Sequence, residues 1–557
     1  MTDPAIGPMS METFDACVIG SGPVGLASAL TLAEQGLSVA LVESGFESDD
    51  APTQALSDAC IETPLSHAPM NHAVRRALGG TSAWWGGRCV PLDEVDYLMR
   101  AHVPRSGWPL SMQEANEHLD AACQFLGAGP ARFSVRSCPG MSSAHQMLSE
   151  KMVDSAALRS TDLERWSGAP NAWQAHRQAV LKSGRIRVLK GHTCVGWIQA
   201  VGGNVSEALL KTSPSAAVTS LKARFHVLAA GGVESTRLVL HSAQSPHGLR
   251  PDNTTDVGRH YMGHPSGKLV TIRFHGDPDQ TLYGFEQDAG AYVRRRLTLS
   301  RQTQLEHGLL NIAFWTDNPP LADASHGSGI LSAAYLALTA PVLGPRLAPA
   351  AIRARVAGEQ SVKRLPHLMN CIKSPLATLA FSTSFAWKRY GAKPRLPGFF
   401  TKSSSNTYAL HFHAEHAPNP DSRITLTDDL DAMGVPRARI KLNWRDEDID
   451  AILKAHEVLG QALESKGIGT LKHLYPPDQR KAAIIEQAID GFHQIGTLRM
   501  AHNSQEGVTN AHGKLFGSTN FYIAGSALFP TSGQANPTLV AVSLAMRQAH
   551  HIASQSR

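Results

Sequence analysis

A single stretch near the start of the chain limits its fold more than any other. Phe14 to Gly20, FDACVIG, is a short apolar run of the kind that forms a buried parallel strand, and it leads straight into Gly20, Gly22 and Gly25, a GxGxxG. Leu26, Leu30, Ala33 and Leu37 then keep a helical period, Gly36 closes that helix, and Leu37 to Val42 reads as a second strand ending in Glu43. A turn without side chains lets a pyrophosphate approach the helix N-terminus, where free backbone N–H groups favour negative charge. Glu43, 18 residues past Gly25, is placed to accept hydrogen bonds from a ribose hydroxyl. A glycine-rich turn alone is weak evidence; set between strand, helix, strand and acid at this spacing, it predicts a dinucleotide site. The acid disfavours a 2′-phosphate but does not separate FAD from NAD.

A second buried strand, Phe225 to Gly232 (FHVLAAGG), ends in small residues and precedes a helix from about Ser235 to His241. Backbone that returns to the dinucleotide so late, at Ala230 and Gly231, implies a discontinuous cofactor domain of the flavoprotein kind. The 557 residues are enough for at least two lobes. Seven cysteines without a CxxC pair argue against a disulfide framework or a zinc ribbon. The start of the chain carries no basic segment, apolar signal core or twin arginine, so a cytoplasmic location is expected. No apolar run is long enough to cross a bilayer; the nearest, Ile330 to Leu343, is short and contains Pro341. Between Pro341 and Lys402 stand eleven basic residues against the single acid Glu359, more positive charge than the chain's net +5. That stretch reads first as a solvated, partly helical surface, with an anionic membrane surface, acidic partner or anionic substrate as alternatives for 346–402. Nucleic acid is not expected, because no reading module accompanies the charge.

Six segments in order, GSGPVG at Gly20 to Gly25, LGGTSAWWGG at Leu78 to Gly87, AAGGVESTRLVL at Ala229 to Leu240, VGRHYMGHP at Val257 to Pro265, HQIGTLRM at His493 to Met500 and GSALFPTSGQANPTLVAVSLAMR at Gly525 to Arg547, carry a resemblance across nearly the whole chain. In these the chain resembles the glucose/methanol/choline (GMC) oxidoreductases, and its GQANPT ending is similar to the pyranose-oxidase-like branch. The match is loose from about Lys268 to Lys402. The resemblance implies an α/β fold: a discontinuous Rossmann-like FAD-binding domain with an α+β substrate domain built on an antiparallel sheet. The expected division is 1–265 for the first part of the FAD domain, with substrate-lobe insertions around 90–185, then 266–489 for the substrate domain with a candidate lid over 325–402, and 490–557 for the C-terminal part of the FAD domain.

It also implies oxidation of an alcohol, of a sugar, glycoside or other secondary alcohol, with O₂ or another acceptor taking the electrons. Such chemistry needs a base for the hydroxyl proton and a donor for the developing oxygen charge. His493, in HxxGT, stands at the family's base position, and Asn536 where relatives have a second histidine or an asparagine. The Asn536-Pro537-Thr538 start of an apolar helix, Leu539 to Met546, would point backbone donors at the flavin. Gly525 and Ser526 follow a predicted strand, Phe521 to Ala524, and Gly80, Thr81 and Trp84 belong to the LGGTSAWWGG segment near the cofactor. Trp84 occupies the position where pyranose-oxidase-like relatives carry a histidine linked to the flavin, so noncovalent FAD is expected. His264 lies in a segment near the active site of relatives, and His413 is a candidate for facing substrate. His411 and His413 share one strand face, but no metal is expected. A flavin monooxygenase, or a GMC-like tailoring enzyme acting on a lipophilic metabolite, is the competing reading.

Overall fold

The computed structural model describes residues 13–139, 156–278, 284–348, 353, 356 and 364–556. Within the basic stretch, Arg355, Glu359 and Lys363 lie outside them.

The first strand, Phe14–Ile19, is the centre of a parallel sheet, as its unbroken apolar run requires. It pairs on one side with Val39–Glu43, which pairs with Ile186–Lys190, and on the other with Thr219–Leu228, which takes Phe521–Ile523 as its far neighbour. Ile19 is level with Val42 and Leu228, and Leu228 with Ile523, so the carboxyl ends of strands distant in sequence form one edge. The helix Pro23–Glu34 follows the first strand, and Gly36, at φ +93°, turns the chain towards the second. On the helix-covered face the last helix, Thr538–Ser556, packs beside it.

The structure moves several predicted boundaries. Thr219–Leu228 starts six residues before the predicted strand because its first half alternates exposed and buried side chains and pairs antiparallel with Val205–Lys211, while its apolar second half joins the parallel sheet. The strand also stops at Leu228, not Gly232, and the next helix already begins at Gly232. The last helix runs ten residues past Met546; the continuous apolar run ends there, but Ala549, Ile552 and Ala553 keep its buried stripe.

A six-stranded antiparallel sheet forms the second layer system, in the spatial order Gly469–His473, Ser266–Phe274, Thr407–Ala414, Ile312–Asp317, Leu297–Leu299 and Leu158–Arg159. Its apolar face is covered by the helix Asp446–Ser465 through Ile449, Ile452, Leu459 and Leu463. The mixed α/β architecture is thus the expected one, with a parallel nucleotide-type sheet and a separate antiparallel sheet.

His456 sits in that second core, between the ring edges of Phe314 and Phe412. Burial pushes its imidazole down to about 4, from the ordinary 6.5. The unfolded chain therefore takes up a proton near pH 6.5 that the folded chain refuses until about pH 4, so this residue costs stability as pH falls through that window. The cost approaches about 1.4 kcal/mol per pH unit for such a group. His456→Phe should reduce the loss of stability between pH 7 and pH 5, read from urea-unfolding midpoints. An unchanged acid loss would show that the ring is not held neutral by its burial.

Candidate active site

The aligned strand ends open onto a cavity of 540 Å³, with Ile19, Val42, Ala229 and Ala524 in its wall. Of the residues predicted for a cofactor, Gly20, Gly22, Glu43, Gly80, Thr81, Trp84, Ala230, Gly231, Gly525, Ser526, Asn536, Pro537 and Thr538 all line it. Gly25 does not. A Cβ there would lie 1.9 Å from the carbonyl oxygen of Gly20, so its bare backbone serves the close packing of helix on strand.

The residues fit FAD. A Cβ on Gly22 would meet nothing within 4 Å and would project into open space at the helix start, where no side chain caps the first N–H groups. Glu43 is buried and steadied at both oxygens: Ser21 donates its N–H and hydroxyl to Oε2, and Gly45 donates its N–H to Oε1 at 2.9 Å. Ser44 donates its hydroxyl to Oε1 at a longer 3.3 Å, and since a carboxylate accepts about four hydrogen bonds, this weakest one is what a ribose hydroxyl would replace. Trp84 and Trp85 are both in the wall, and Trp85 Nε1 donates to the Pro170 carbonyl at 2.7 Å.

His493 and Asn536, 43 residues apart, meet at this cavity: Asn536 Nδ2 lies 2.9 Å from His493 Nε2. The surrounding bonds fix the direction of every proton. Arg88 can only donate, and its Nη1 lies 2.9 Å from Asn536 Oδ1, so the other amide atom is the NH₂ group and donates to His493 Nε2. His493 Nε2 is then an acceptor, its proton resides on Nδ1, and Asp490 Oδ2 stands 3.2 Å away to receive it. Burial works against ionisation of Asp490, but His493, His264 and the His264 backbone N–H outweigh it and hold the carboxyl below its usual range. Asp490 also takes the backbone N–H groups of Phe492 and His493 on its Oδ1, folding the loop over itself. Gly491, at φ +104°, makes the turn, and a Cβ there would strike the His67 ring at 2.6 Å.

Arg88 is held in turn by Glu164, at 2.5 Å, and lies over the Trp315 ring at 4.4 Å. Burial lowers it to about 10, against the opposing pull of Glu164, so it stays charged at neutral pH. His264 and His413 do not line the cavity; they stand behind His493. His264 Nδ1 is 3.1 Å from His493 Nδ1, and the His264 and His413 rings are stacked 4.4 Å apart. His413 Nδ1 donates to the Gln534 carbonyl at 2.6 Å. Burial, then His493, pushes His264 down to about 3, and burial, then His264, carries His413 well below its ordinary value. Nitrogens of His264, His413 and His493 lie within 4.8 Å of one another, near enough to share a cation, although no metal was expected. Bonds to Asp490, Asn536 and two backbone carbonyls already occupy four of these nitrogens.

Three residues of this network were not among the predicted ones. Asp490 had a signal, a carboxylate three positions before the predicted base. Arg88 follows the LGGTSAWWGG segment directly, but its partner is 448 residues away, and nothing local marks Glu164.

The GMC oxidoreductase family model matches residues 418–545, and an FAD-binding domain model matches residues 15–256. The chain belongs to the GMC oxidoreductases and is an FAD-binding flavoprotein. It is 29% identical over 164 residues to the 2-methyl-1,2-propanediol dehydrogenase of Mycolicibacterium austroafricanum, covering 28% of this chain and 26% of that protein. It is 30% identical over 135 residues to the C-glycoside 3-oxidase of Microbacterium trichothecenolyticum, 24% of either. The matched stretches thus span about a quarter of these relatives' lengths. The fold is similar to that of pyridoxine 4-oxidase from Mesorbium loti, with a TM-score of 0.53 and 15% identity over 96% of this chain and 98% of that one. It is also similar to a fungal aryl-alcohol oxidase, with a TM-score of 0.52 and 13% identity over 98% of this chain and 99% of the other.

Two glycines three residues apart separate cofactor contact from packing. Gly22→Val adds its side chain to open space, and should give a folded protein that purifies without flavin absorbance. Gly25→Ala drives a carbon to 1.9 Å from the Gly20 oxygen and should lower stability by about 3 kcal/mol. A Gly22→Val protein with full flavin content would refute the proposed path of the dinucleotide.

Proposed function

We propose that this flavoprotein oxidises an alcohol carbon to a carbonyl, with His493 as the base. The observation that carries the reading is the 2.9 Å contact of His493 Nε2 with Asn536 Nδ2 at the cavity wall, with Asp490 behind the ring. Bound FAD supplies the two-electron acceptor for this oxidation. A substrate hydroxyl set between the two side chains gives its proton to Nε2 and receives a hydrogen bond from the Asn536 amide. Asp490 keeps the Nδ1 proton in place, so Nε2 carries the lone pair that accepts from Asn536 and takes the substrate proton once the hydroxyl displaces that bond, and the carboxylate's charge favours the imidazolium that forms. The residues that line the cavity from Gly20 to Thr538 hold the cofactor, without a covalent link, since Trp84 offers no imidazole.

The names of the partial relatives, a dehydrogenase of a diol whose one oxidisable hydroxyl is primary and a glycoside oxidase, favour a primary or secondary alcohol of a sugar, glycoside or small polyol. Mixing the flavin-loaded protein anaerobically with monosaccharides, glycosides, simple alcohols and sterol-like alcohols, while following the flavin's visible absorbance, tests this. One substrate class should bleach it. His493→Ala should slow bleaching by about a hundredfold to ten-thousandfold, and Asp490→Asn by about a hundredfold through loss of the tautomer. Bleaching by NADPH and by no alcohol would give the monooxygenase reading the field. A second experiment addresses attachment: acid precipitation should leave a colourless pellet, and a yellow one would mean a covalent flavin.

A further inference from the structure

One helix of the insert between the antiparallel strands is polar on its buried side and apolar on its exposed side. In the helix Arg364–Lys373, Leu365, Leu368, Met369 and Ile372 follow the i, i+3, i+4, i+7 spacing of one stripe. That stripe would ordinarily face a core, yet these side chains are 70%, 47%, 49% and 67% exposed. The buried side is the polar one. His367 Nδ1 lies 3.0 Å from Ser332 Oγ, and Asn370 Nδ2 donates to Ser332 Oγ and to the Ala324 carbonyl. Gly329 admits the Ser374 and Thr378 hydroxyls so closely that a Cβ would lie 2.6 and 2.4 Å from them. Small residues and hydrogen bonds joining helices, with aliphatic side chains turned outward, are the packing rules of helices surrounded by lipid.

Exposed apolar side chains continue beyond this helix. Leu376 and Leu379, on the helix Pro375–Ala386, are 82% and 63% exposed, and Trp387 follows at 68%. Ten of the 23 exposed large hydrophobic side chains among the described residues fall between Val342 and Tyr390. Exposed cations accompany them: Arg346, Arg364, Lys373 and Lys388. Helices of 10 and 12 residues are too short to span a bilayer, but apolar side chains flanked by cations suit a helix lying in its headgroup region.

We infer that this face docks the enzyme on an anionic phospholipid surface, with the Leu365 to Leu379 side chains among the acyl chains and the cations at the lipid phosphates. A second copy of this chain is the poorer occupant, since the described residues between Pro341 and Lys402 include nine basic ones and no acid, and two such faces repel.

Flotation of the full flavin-loaded chain with vesicles tests this, using pure phosphatidylcholine against phosphatidylcholine mixed with phosphatidylglycerol. Binding to the mixed vesicles should be at least about tenfold stronger and should weaken with salt. Arg364→Glu with Lys373→Glu should abolish that preference, and Leu368→Glu with Ile372→Glu should abolish binding to both. All four positions are exposed, so flavin absorbance and turnover of a water-soluble alcohol should remain as in the parent protein. Equal binding to both vesicles would overturn the proposal, as would no binding. So would self-association, seen by light scattering and broken by Leu368→Glu, or salt-sensitive capture by an acidic protein in place of vesicles.

Discussion

The closeness of the first helix to the first strand governs the whole cofactor side of the molecule. Gly25 has no room for even one carbon before the Gly20 carbonyl, and Gly20 in turn none before Ala229, where a Cβ would come within 2.6 Å of the backbone oxygen. These two contacts bring the helix start, the strand end and the loop after Leu228 to one point. Glu43, two strands of the same sheet and the Gly525 loop then have a common place to converge. A larger residue at Gly25 would lift the helix off the strand end and move its N–H groups away from the cavity, and one at Gly20 would push away the loop at Ala229.

On the other wall, charge is distributed so that one imidazole is singled out. His264 and His413 are buried against each other and against His493, and protonating either would put a cation beside the ring meant to take a proton. Their burial keeps them neutral, whereas the carboxylate at Asp490 stands 3.2 Å from the His493 ring nitrogen and meets His264 through its backbone N–H. Three histidines within touching distance therefore do not share one role: two shape the pocket behind the third.

The nucleotide half of the site was legible because its information is local. Gly20, Gly22, Gly25 and Glu43 sit in one strand, turn, helix and strand, and spacing alone gave their arrangement. His493 and Asn536 were identified through a resemblance, since neither residue type nor spacing distinguishes one histidine of 26. Arg88 and Glu164 were invisible, because their value lies in the pairing of two strands distant in sequence, Arg88–Cys89 and Leu163–Trp166, in a small antiparallel sheet, and in a bond from Arg88 to a residue 448 positions away. The insert was misjudged in emphasis: its charge was noticed, whereas the stripe at Leu365, Leu368, Met369 and Ile372 has the period of an ordinary core-facing helix. Only the buried His367 and Asn370 reveal which way that helix is turned.

The Arg88 to Asn536 bond has a consequence for how the site meets its substrate. A carboxamide has two orientations of nearly identical shape, and in water it exchanges between them. Here a half-turn would aim the carbonyl oxygen at the His493 lone pair and the NH₂ group at a guanidinium, exchanging two attractions for two repulsions. Asn536 is therefore confined to one orientation before any alcohol arrives. The reorganisation that a mobile amide would undergo during the reaction is completed when the protein folds, and Glu164, which touches neither Asn536 nor His493 but holds Arg88, is part of what keeps it so.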